Sequence, residues 1–148
     1  MKVSRKSILW GALTAVLAIA AIMPGLQAGP SEAGRFKLSF SMRMGKTALP
    51  AGDYTFSLDR SAGSYGTIVV YREGQALGIM IPQTLDRFQG QGENPALLCI
   101  RHDGKVTVRA LRLPNVGTYY FEVPKELKTL LAQQPQLIEA VPVQMNGE

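Results

Sequence analysis

Residues 35–44 read RFKLSFSMRM, and the strict alternation of apolar and polar side chains in this stretch decides the fold. The apolar residues are Phe36, Leu38, Phe40, Met42 and Met44, and the polar ones are Arg35, Lys37, Ser39, Ser41 and Arg43. A period of two over ten residues predicts one β-strand with a buried face and a solvated face. A sheet that covers an apolar interior is therefore expected.

The chain after this strand repeats the alternation between turn signals. The connection ends in LPAG, residues 49–52, where proline at the second place and glycine at the fourth suit a type I turn. Strands are predicted over residues 54–59, 67–71 and 76–81, and the last has apolar residues on both phases, as in a strand covered on both sides. Residues 83–95, rich in Gly, Gln and Asn, are predicted to form a long loop.

The dipeptide Asp103-Gly104 is the clearest local signal, because it separates two apolar alternating runs. It predicts a two-residue hairpin with a type I′ turn. Counting outward from the turn pairs His102 with Lys105, Cys99 with Val108, and Leu97 with Ala110. The expected core face of the hairpin is Leu97, Cys99, Val106, Val108 and Ala110.

The last third of the chain adds two strands and one helix. Residues 118–123 are predicted as a strand with Tyr119, Phe121 and Val123 on one side. Leucines at helical spacing predict one short helix over residues 125–134, with Pro124 as its first residue. A final strand is predicted over residues 136–143, in which Pro142 marks an edge position. We therefore expect an antiparallel β-sandwich or partly closed β-barrel of seven or eight strands with one short helix.

Residues 1–28 have the layout of a secretory signal peptide, with three basic residues followed by an apolar run over residues 8–23. A small-residue cleavage site before Gly29 would leave one exported β-rich domain, residues 29–148, with an ordered core over about residues 34–144. The alternatives are a retained membrane anchor and a buried core helix. Export predicts a periplasmic or extracellular location.

The net charge limits the partners that can be expected, and the sequence around the single cysteine indicates whether it is buried. The leader holds three of the 16 basic residues and none of the 11 acidic ones, so its removal lowers the net charge from +5 to +2. A charge this small gives no reason to expect nucleic acid or an anionic membrane surface as a partner. The one cysteine, Cys99, has apolar neighbours and is predicted to be buried.

No catalytic, metal or cofactor-binding residue is predicted. Cys99 and His102 are three apart on one strand, which sends their side chains to opposite faces about 10 Å apart, too far for a nucleophile and its base. One His and one Cys make a poor zinc site. The carboxylate pairs, Asp53 with Asp59 and Asp86 with Glu93, lack the spacing of a calcium loop.

A binding surface is easier to place than a catalytic one. Arginine and tyrosine, which are enriched at interfaces, gather on the hairpin and the next strand, and the candidate patch is Arg101, Arg109, Arg112, Tyr119 and Tyr120. The plainer alternative is that outward arginines serve solubility and edge protection.

The pattern FxLxFxMxMGKxxLPAGxYTF, residues 36–56, resembles a family of small exported bacterial β proteins with an alternating first strand, a glycine turn and Leu-Pro-Ala-Gly-x-Tyr. LLCIRHDG, residues 97–104, is similar to the second characteristic segment of that family, with Cys99 where a large aromatic is usual and His102 where tyrosine is usual. The family has no assigned activity. The resemblance implies a signal peptide followed by a compact β-barrel or sandwich and transfers no functional residue.

Two functional hypotheses remain ahead of an enzyme. The first is an exported, non-catalytic envelope or secreted protein that binds another macromolecule or serves as a structural module. The second is a carrier whose barrel interior holds a small apolar ligand, suggested by Phe40, Met42, Met44 and Met80 at inward positions.

Overall fold

The computed structural model describes residues 31–89 and 92–146, and these form a mainly β structure with eleven strands and one α-helix. The strands are β1 (Ser31–Leu38), β2 (Met42–Met44), β3 (Thr47–Leu49), β4 (Gly52–Asp59), β5 (Thr67–Arg72), β6 (Gln75–Met80), β7 (Thr84–Asp86), β8 (Ala96–His102), β9 (Lys105–Leu113), β10 (Gly117–Tyr120) and β11 (Ile138–Met145). Helix α1 (Lys125–Gln133) and a 3-10 turn (Pro135–Leu137) precede β11. The predicted leader, residues 1–28, lies outside the described residues. Among those that are described, no helix is long and apolar enough to cross a membrane.

The strands form one sheet that curls into a nearly closed barrel, which confirms the predicted fold class. Their order is β3-β2-β9-β8-β11-β1-β4-β5-β6, and β10 lies against β9 and β7. All pairs are antiparallel except β2 with β9. The two ends of the sheet approach at Gly78 of β6, where an added Cβ would lie 2.8 Å from Thr47 Oγ1 of β3.

The stretch 35–44 keeps its predicted alternation but is not one strand. β1 ends at Leu38 and pairs with β4 and β11, whereas β2 begins at Met42 and pairs with β3 and β9. The side chains of Phe36, Leu38, Met42 and Met44 are buried and their polar neighbours are exposed, so residues 39–41 carry the chain across the curled sheet without changing which side chains point inward. Phe40 is partly buried against the core.

The interior consists of a main core and a small satellite. The main core is built from inward residues of most strands, and Phe36 stacks on Tyr54 there with ring centroids 5.5 Å apart. The satellite joins Ile100 and Val123 to Leu131 of α1, as expected for a short amphipathic helix that lies on the sheet. The predicted helix is confirmed, although Pro124 is its N-cap rather than its first residue.

The hairpin between β8 and β9 is confirmed at its turn and corrected farther out. Asp103 and Gly104 have φ of 50° and 71°, as a type I′ turn requires. The pairs His102 with Lys105 and Cys99 with Val108 are as predicted. The pairing of Leu97 with Ala110 is wrong: the register shifts at a β-bulge, so that Leu97 faces Leu111 and Leu98 faces Ala110. Arg109 is the extra residue, and beyond it Leu111 takes the place on the core face that was predicted for Ala110.

Three other sequence predictions need correction. The connection after residue 44 contains the short strand β3, and the predicted loop 83–95 contains β7, which pairs with β10. The strand predicted over residues 118–123 ends at Tyr120. These short strands form because each finds an open neighbouring edge, which periodicity within the chain does not reveal.

The predicted surroundings of β6 and β11 are also wrong. β6 was expected to be covered on both sides, yet it lies at one end of the sheet order. Leu77 and Ile79 of this strand are 39% and 66% exposed, and Ile81, just past it, is 72% exposed. β11 was expected at an edge because of Pro142, yet it lies between β8 and β1. An interior strand tolerates proline only where the missing N–H has no partner to bond.

Replacing Gly34 by alanine tests the packing of β1 on the core. An added Cβ would lie 2.7 Å from Phe56 Cε1 and 2.8 Å from the Gln144 carbonyl oxygen, so Gly34→Ala should lower the free energy of unfolding by about 1–3 kcal/mol. Gly78→Ala is the matched control, because the three atoms nearest to its added Cβ all belong to the Thr47 side chain and the closest of them, Oγ1, can rotate away. Urea denaturation measures both variants, and equal losses would contradict the packing described.

Candidate functional site

A cleft of about 730 Å³ opens in the wall of the barrel between β1, β4, β11 and the β5–β6 turn. Exposed Pro142 supplies apolar surface, the Phe36 and Tyr54 rings lie beneath at 5% and 2% exposed, and charged side chains of β1, β4 and the turn also line the cleft. Its volume lies within the roughly 300–1,000 Å³ that ligand pockets usually occupy. The cleft is therefore the first candidate for a binding site.

The cleft exists because the ladder between β1 and β11 is short. β1 pairs with β4 over its whole length, from Ser31 to Leu38, but its register with β11 ends at Phe36 opposite Val143. On the other side of β11, residues 138–142 pair with β8. β11 therefore pairs with β8 over one part of its length and with β1 over another, and the end of β1 has no second partner strand.

The direction of the backbone groups follows from two hydrogen bonds. Asn146 N–H donates to the Ala33 carbonyl at 2.8 Å, so Ala33 faces β11. Val143 N–H donates to the Pro95 carbonyl at 3.0 Å, so Val143 faces β8. Because the N–H and C=O of one strand residue share an edge and successive residues alternate, Lys37 of β1 also faces β11.

Pro142 stops the ladder at this point. By the same alternation Pro142 faces β1, and the pair that would follow Arg35 with Gln144 is Lys37 with Pro142. Proline has no N–H, so it cannot donate to the Lys37 carbonyl. The missing donor of Pro142 therefore faces the cleft, which is why an interior strand accommodates it.

The floor of the cleft is held by the LPAG stretch. The Tyr54 hydroxyl donates to the Pro50 carbonyl at 2.6 Å, which fixes the ring that stacks on Phe36. The guanidinium carbon of Arg72 lies 5.8 Å from the centre of the Tyr54 ring, within the range of a cation–π contact. The aromatic floor is thus positioned before any ligand arrives.

The rim carries charges of both signs. Arg35 and Lys37 extend from β1, Asp53 from β4 and Glu73 from the turn. Lys37 and Asp53 are register partners, and Arg35 Nε donates to Gln144 Oε1 at 2.8 Å. A rim of mixed charge suits a ligand that is itself mixed in charge or neutral.

The patch predicted from sequence is divided in the structure. Tyr119 is only 1% exposed and belongs to the main core, so it offers no surface to a partner. The Arg109 guanidinium carbon lies 5.6 Å from the centre of the Tyr120 ring, so these two members of the patch are in cation–π contact. Arg112 donates to the Asn94 carbonyl at 3.1 Å and to the Glu93 carboxylate.

Arg101 is committed elsewhere, near the turn end of the hairpin. Its Nε and Nη2 donate to the Glu139 carboxylate at 2.7 and 3.1 Å, and its guanidinium lies 4.6 Å from the centre of the Phe40 ring. The hydrogen bond from Arg101 lowers the pKa of Glu139. Arg101 therefore ties β8 to β11 rather than joining Arg109 and Tyr120.

Cys99 and His102 do not form a reactive pair. Cys99 is fully buried, as predicted, and burial raises the pKa of its thiol to about 12. His102 is exposed at the hairpin end, where its Nε2 lies 3.2 Å from Asp103 Oδ2. Within residues 31–89 and 92–146, no three His, Cys, Asp or Glu side chains are grouped so as to hold a metal ion.

The inward methionines proposed for an apolar carrier are part of the packing. Met42, Met44 and Met80 are 2%, 2% and 6% exposed within the main core, and none of them lines the cleft. Phe40 lies partly buried under Arg101. Any small ligand would therefore enter the wall cleft rather than the space these residues occupy.

The cleft was missed by sequence reasoning, although one signal for it was present. Pro142 was recognised as a ladder break but interpreted as a mark of an edge strand. Its position opposite Lys37 depends on the pairing of β11 with β1, which are more than a hundred residues apart in the chain. Pro142 can be recognised as part of a site only when the pairing of β11 with β1 is known.

Fold and cleft together define an antiparallel β protein whose nearly closed sheet opens at one place in its wall. Comparisons of the chain with protein-family models, curated proteins and solved structures found no match.

The reactivity of Cys99 should follow its burial. At pH 8 iodoacetamide should leave the native protein unlabelled and label it fully in urea, because the native pKa of about 12 keeps the thiol protonated. The unfolded thiol, with a pKa near 9.0, ionises first, so the free energy of unfolding should fall as pH rises from 9 to 12. Mass spectrometry reads the labelling, and rapid labelling of native protein would contradict the buried position.

Proposed function

We propose that this protein is exported and non-catalytic, and that it binds an extended segment of another polypeptide in the wall cleft. The observation that carries the proposal is the end of β1, where the Lys37 carbonyl faces the cleft and Pro142 has no N–H to donate to it. A free strand edge beside an apolar floor is the arrangement used for β-augmentation, in which a peptide adds one strand to a sheet.

Each part of the cleft supports one part of peptide recognition. The Lys37 carbonyl offers a main-chain acceptor, and the exposed Pro142 ring offers apolar contact for a side chain of the peptide. The charges of Lys37, Asp53 and Glu73 at the rim can meet either sign of side chain. Such contacts give affinity without any bond-breaking chemistry.

The non-catalytic part of the proposal rests on the chemistry of the side chains. The Cys99 thiol is buried with a raised pKa, and His102 is held at a solvent-exposed turn next to Asp103. Catalytic nucleophiles need an accessible, activated group near a base. Neither the cleft nor the hairpin offers that combination among the described residues.

A carrier of a small apolar ligand is the second candidate function. It is favoured by the volume of the cleft, about 730 Å³, and by the exposed apolar surface of Pro142 within it. The two candidates differ in their need for the strand edge. A small ligand uses the aromatic floor, whereas a peptide also needs the Lys37 backbone.

Export is tested by the mature N-terminus. Protein recovered from its own host should begin at Gly29, because the leader over residues 1–28 ends in a small-residue cleavage site. Intact-mass spectrometry of the envelope and secreted fractions gives the answer. A full-length chain found only in the cytoplasmic fraction would contradict the proposed location.

Pro142→Val tests the strand edge. Valine supplies the N–H that proline lacks and keeps an apolar side chain, so the Lys37 carbonyl gains a donor within the protein and is no longer free for a peptide. Capture of partners from host envelopes, measured by quantitative mass spectrometry, should fall about tenfold, as expected for roughly 1.4 kcal/mol lost with a main-chain hydrogen bond.

Ala140→Val is the matched control, since it places valine at an exposed position of β11 that does not line the cleft. It should retain the partners that the unaltered protein captures, and thermal unfolding should show that both variants fold. Equal capture by the Pro142→Val and Ala140→Val variants would contradict peptide addition at this edge and favour the carrier.

A further inference from the structure

The free edge of β6 is a second surface, separate from the cleft. β6 is the last strand in the sheet order and, among residues 31–89 and 92–146, pairs only with β5. β3 meets it from the inner side, through Thr47 against Gly78, so the side chain of Ile79 remains 66% exposed and that of Ile81, just past the strand, 72% exposed. Large aliphatic side chains on an open strand edge are normally covered by another polypeptide.

The backbone N–H and C=O groups of Ile79 also point towards the open edge. The N–H and C=O of Lys37 point towards β11, so those of Phe36 point towards β4. The same alternation, followed through the β1–β4 and β4–β5 registers, points the N–H and C=O of Ile68 towards β6. Ile68 is opposite Met80, so Met80 bonds to β5 and Ile79 faces the open edge. Ile79 therefore presents its N–H, its C=O and its aliphatic side chain together.

This edge lacks the charges that usually prevent strand pairing. Residues 74–85 contain no charged side chain, and Pro82 comes only after the strand has ended. The one protective feature is the register shift that makes Leu77 an extra residue, and it leaves Gly78, Ile79 and Met80 in regular pairing with β5. The edge is thus open and uncharged around Ile79.

We propose that two copies of this chain associate through β6, antiparallel across a twofold axis that passes by Ile79. In this register Ile79 faces Ile79 of the second copy, and Leu77 faces Ile81 of the second copy. Each exposed aliphatic side chain then meets an aliphatic partner on the same face of the joined sheet. The paired segment, residues 77–81, ends where Pro82 removes the next donor.

A second copy fits this edge because the edge is complementary to itself. Antiparallel pairing about a twofold axis brings identical segments together, which would repel if the strand carried charges of one sign. The nearest charged residue, Glu73, lies outside residues 77–81 and so meets no like charge. One contact covers the unprotected edges of both copies at once.

Molecular mass in solution tests the association. The chain recovered from its host should show twice the monomer mass by light scattering during size-exclusion chromatography. Ile79→Lys places a charge at the axis and should halve that mass, whereas Ala140→Lys, at an exposed position on β11, should leave it unchanged. A monomeric unaltered protein would overturn the proposal and leave the edge to a different polypeptide strand, as would a dimer that Ile79→Lys does not disrupt.

A cysteine at residue 79 tests the register itself. Opposed residues of a hydrogen-bonded antiparallel pair have Cβ atoms about 5.5 Å apart, too far for an unstrained disulfide but within reach of a short bismaleimide. A short bismaleimide should therefore give covalent dimers of the Ile79→Cys variant on denaturing gels, and none of the Ala140→Cys variant, while native Cys99 is buried and stays unmodified. A dimer that Ile79→Cys fails to cross-link would overturn the twofold register. Neither result bears on the cleft, which Ile79 does not line.

Discussion

The backbone of β11 has to satisfy two neighbours, and the remainder of the wall is arranged around that requirement. β11 bonds to β8 over residues 138–142 and to β1 over residues 143–145, so it joins the hairpin half of the sheet to the half built from β1, β4, β5 and β6. Pro142 lies at the changeover, and its missing N–H ends the ladder towards β1 there. Pro142 therefore lies where the two halves of the sheet join, and its missing N–H is the reason why they separate there.

Packing of the interior makes this opening tolerable. The inward row that starts with Phe36 continues through Met42 even though the chain changes neighbours between them, and the Tyr54 ring is fixed beneath the opening by its bond to the Pro50 carbonyl. Aromatic rings rather than backbone groups thus close the floor of the cleft.

Local patterns in the sequence were sufficient for most of the elements. The alternation in residues 35–44 and the Asp103-Gly104 turn act between residues close in the chain, and the buried faces and the turn are as predicted. The errors arose where pairing partners are distant. The bulge at Arg109 and the exposed face of β6 depend on which strand lies alongside, and a two-residue period carries no information about that.

The candidate site shows the same division between local and distant information. The surface character of Arg109 and Tyr120 was predictable from their alternation, but the burial of Tyr119 and the binding of Arg101 to Glu139 required the fold. Pro142 was visible in the sequence and could be interpreted only as a break in pairing. Its meaning depended on Lys37, which the chain brings opposite it from the far end of the domain.

Cross-strand Hα–Hα contacts between β1 and β11, observed by NMR, test whether the wall opens after Phe36. Non-hydrogen-bonded partners in an antiparallel pair have Cα atoms about 4.5 Å apart, so Phe36 and Val143 should give a strong Hα–Hα cross-peak. Leu38 and Val141 would be the next such pair, and they should give none, because the register of β1 with β11 ends at Phe36. A cross-peak between Leu38 and Val141 would show that β1 and β11 remain paired past Pro142, and the cleft as described would not exist.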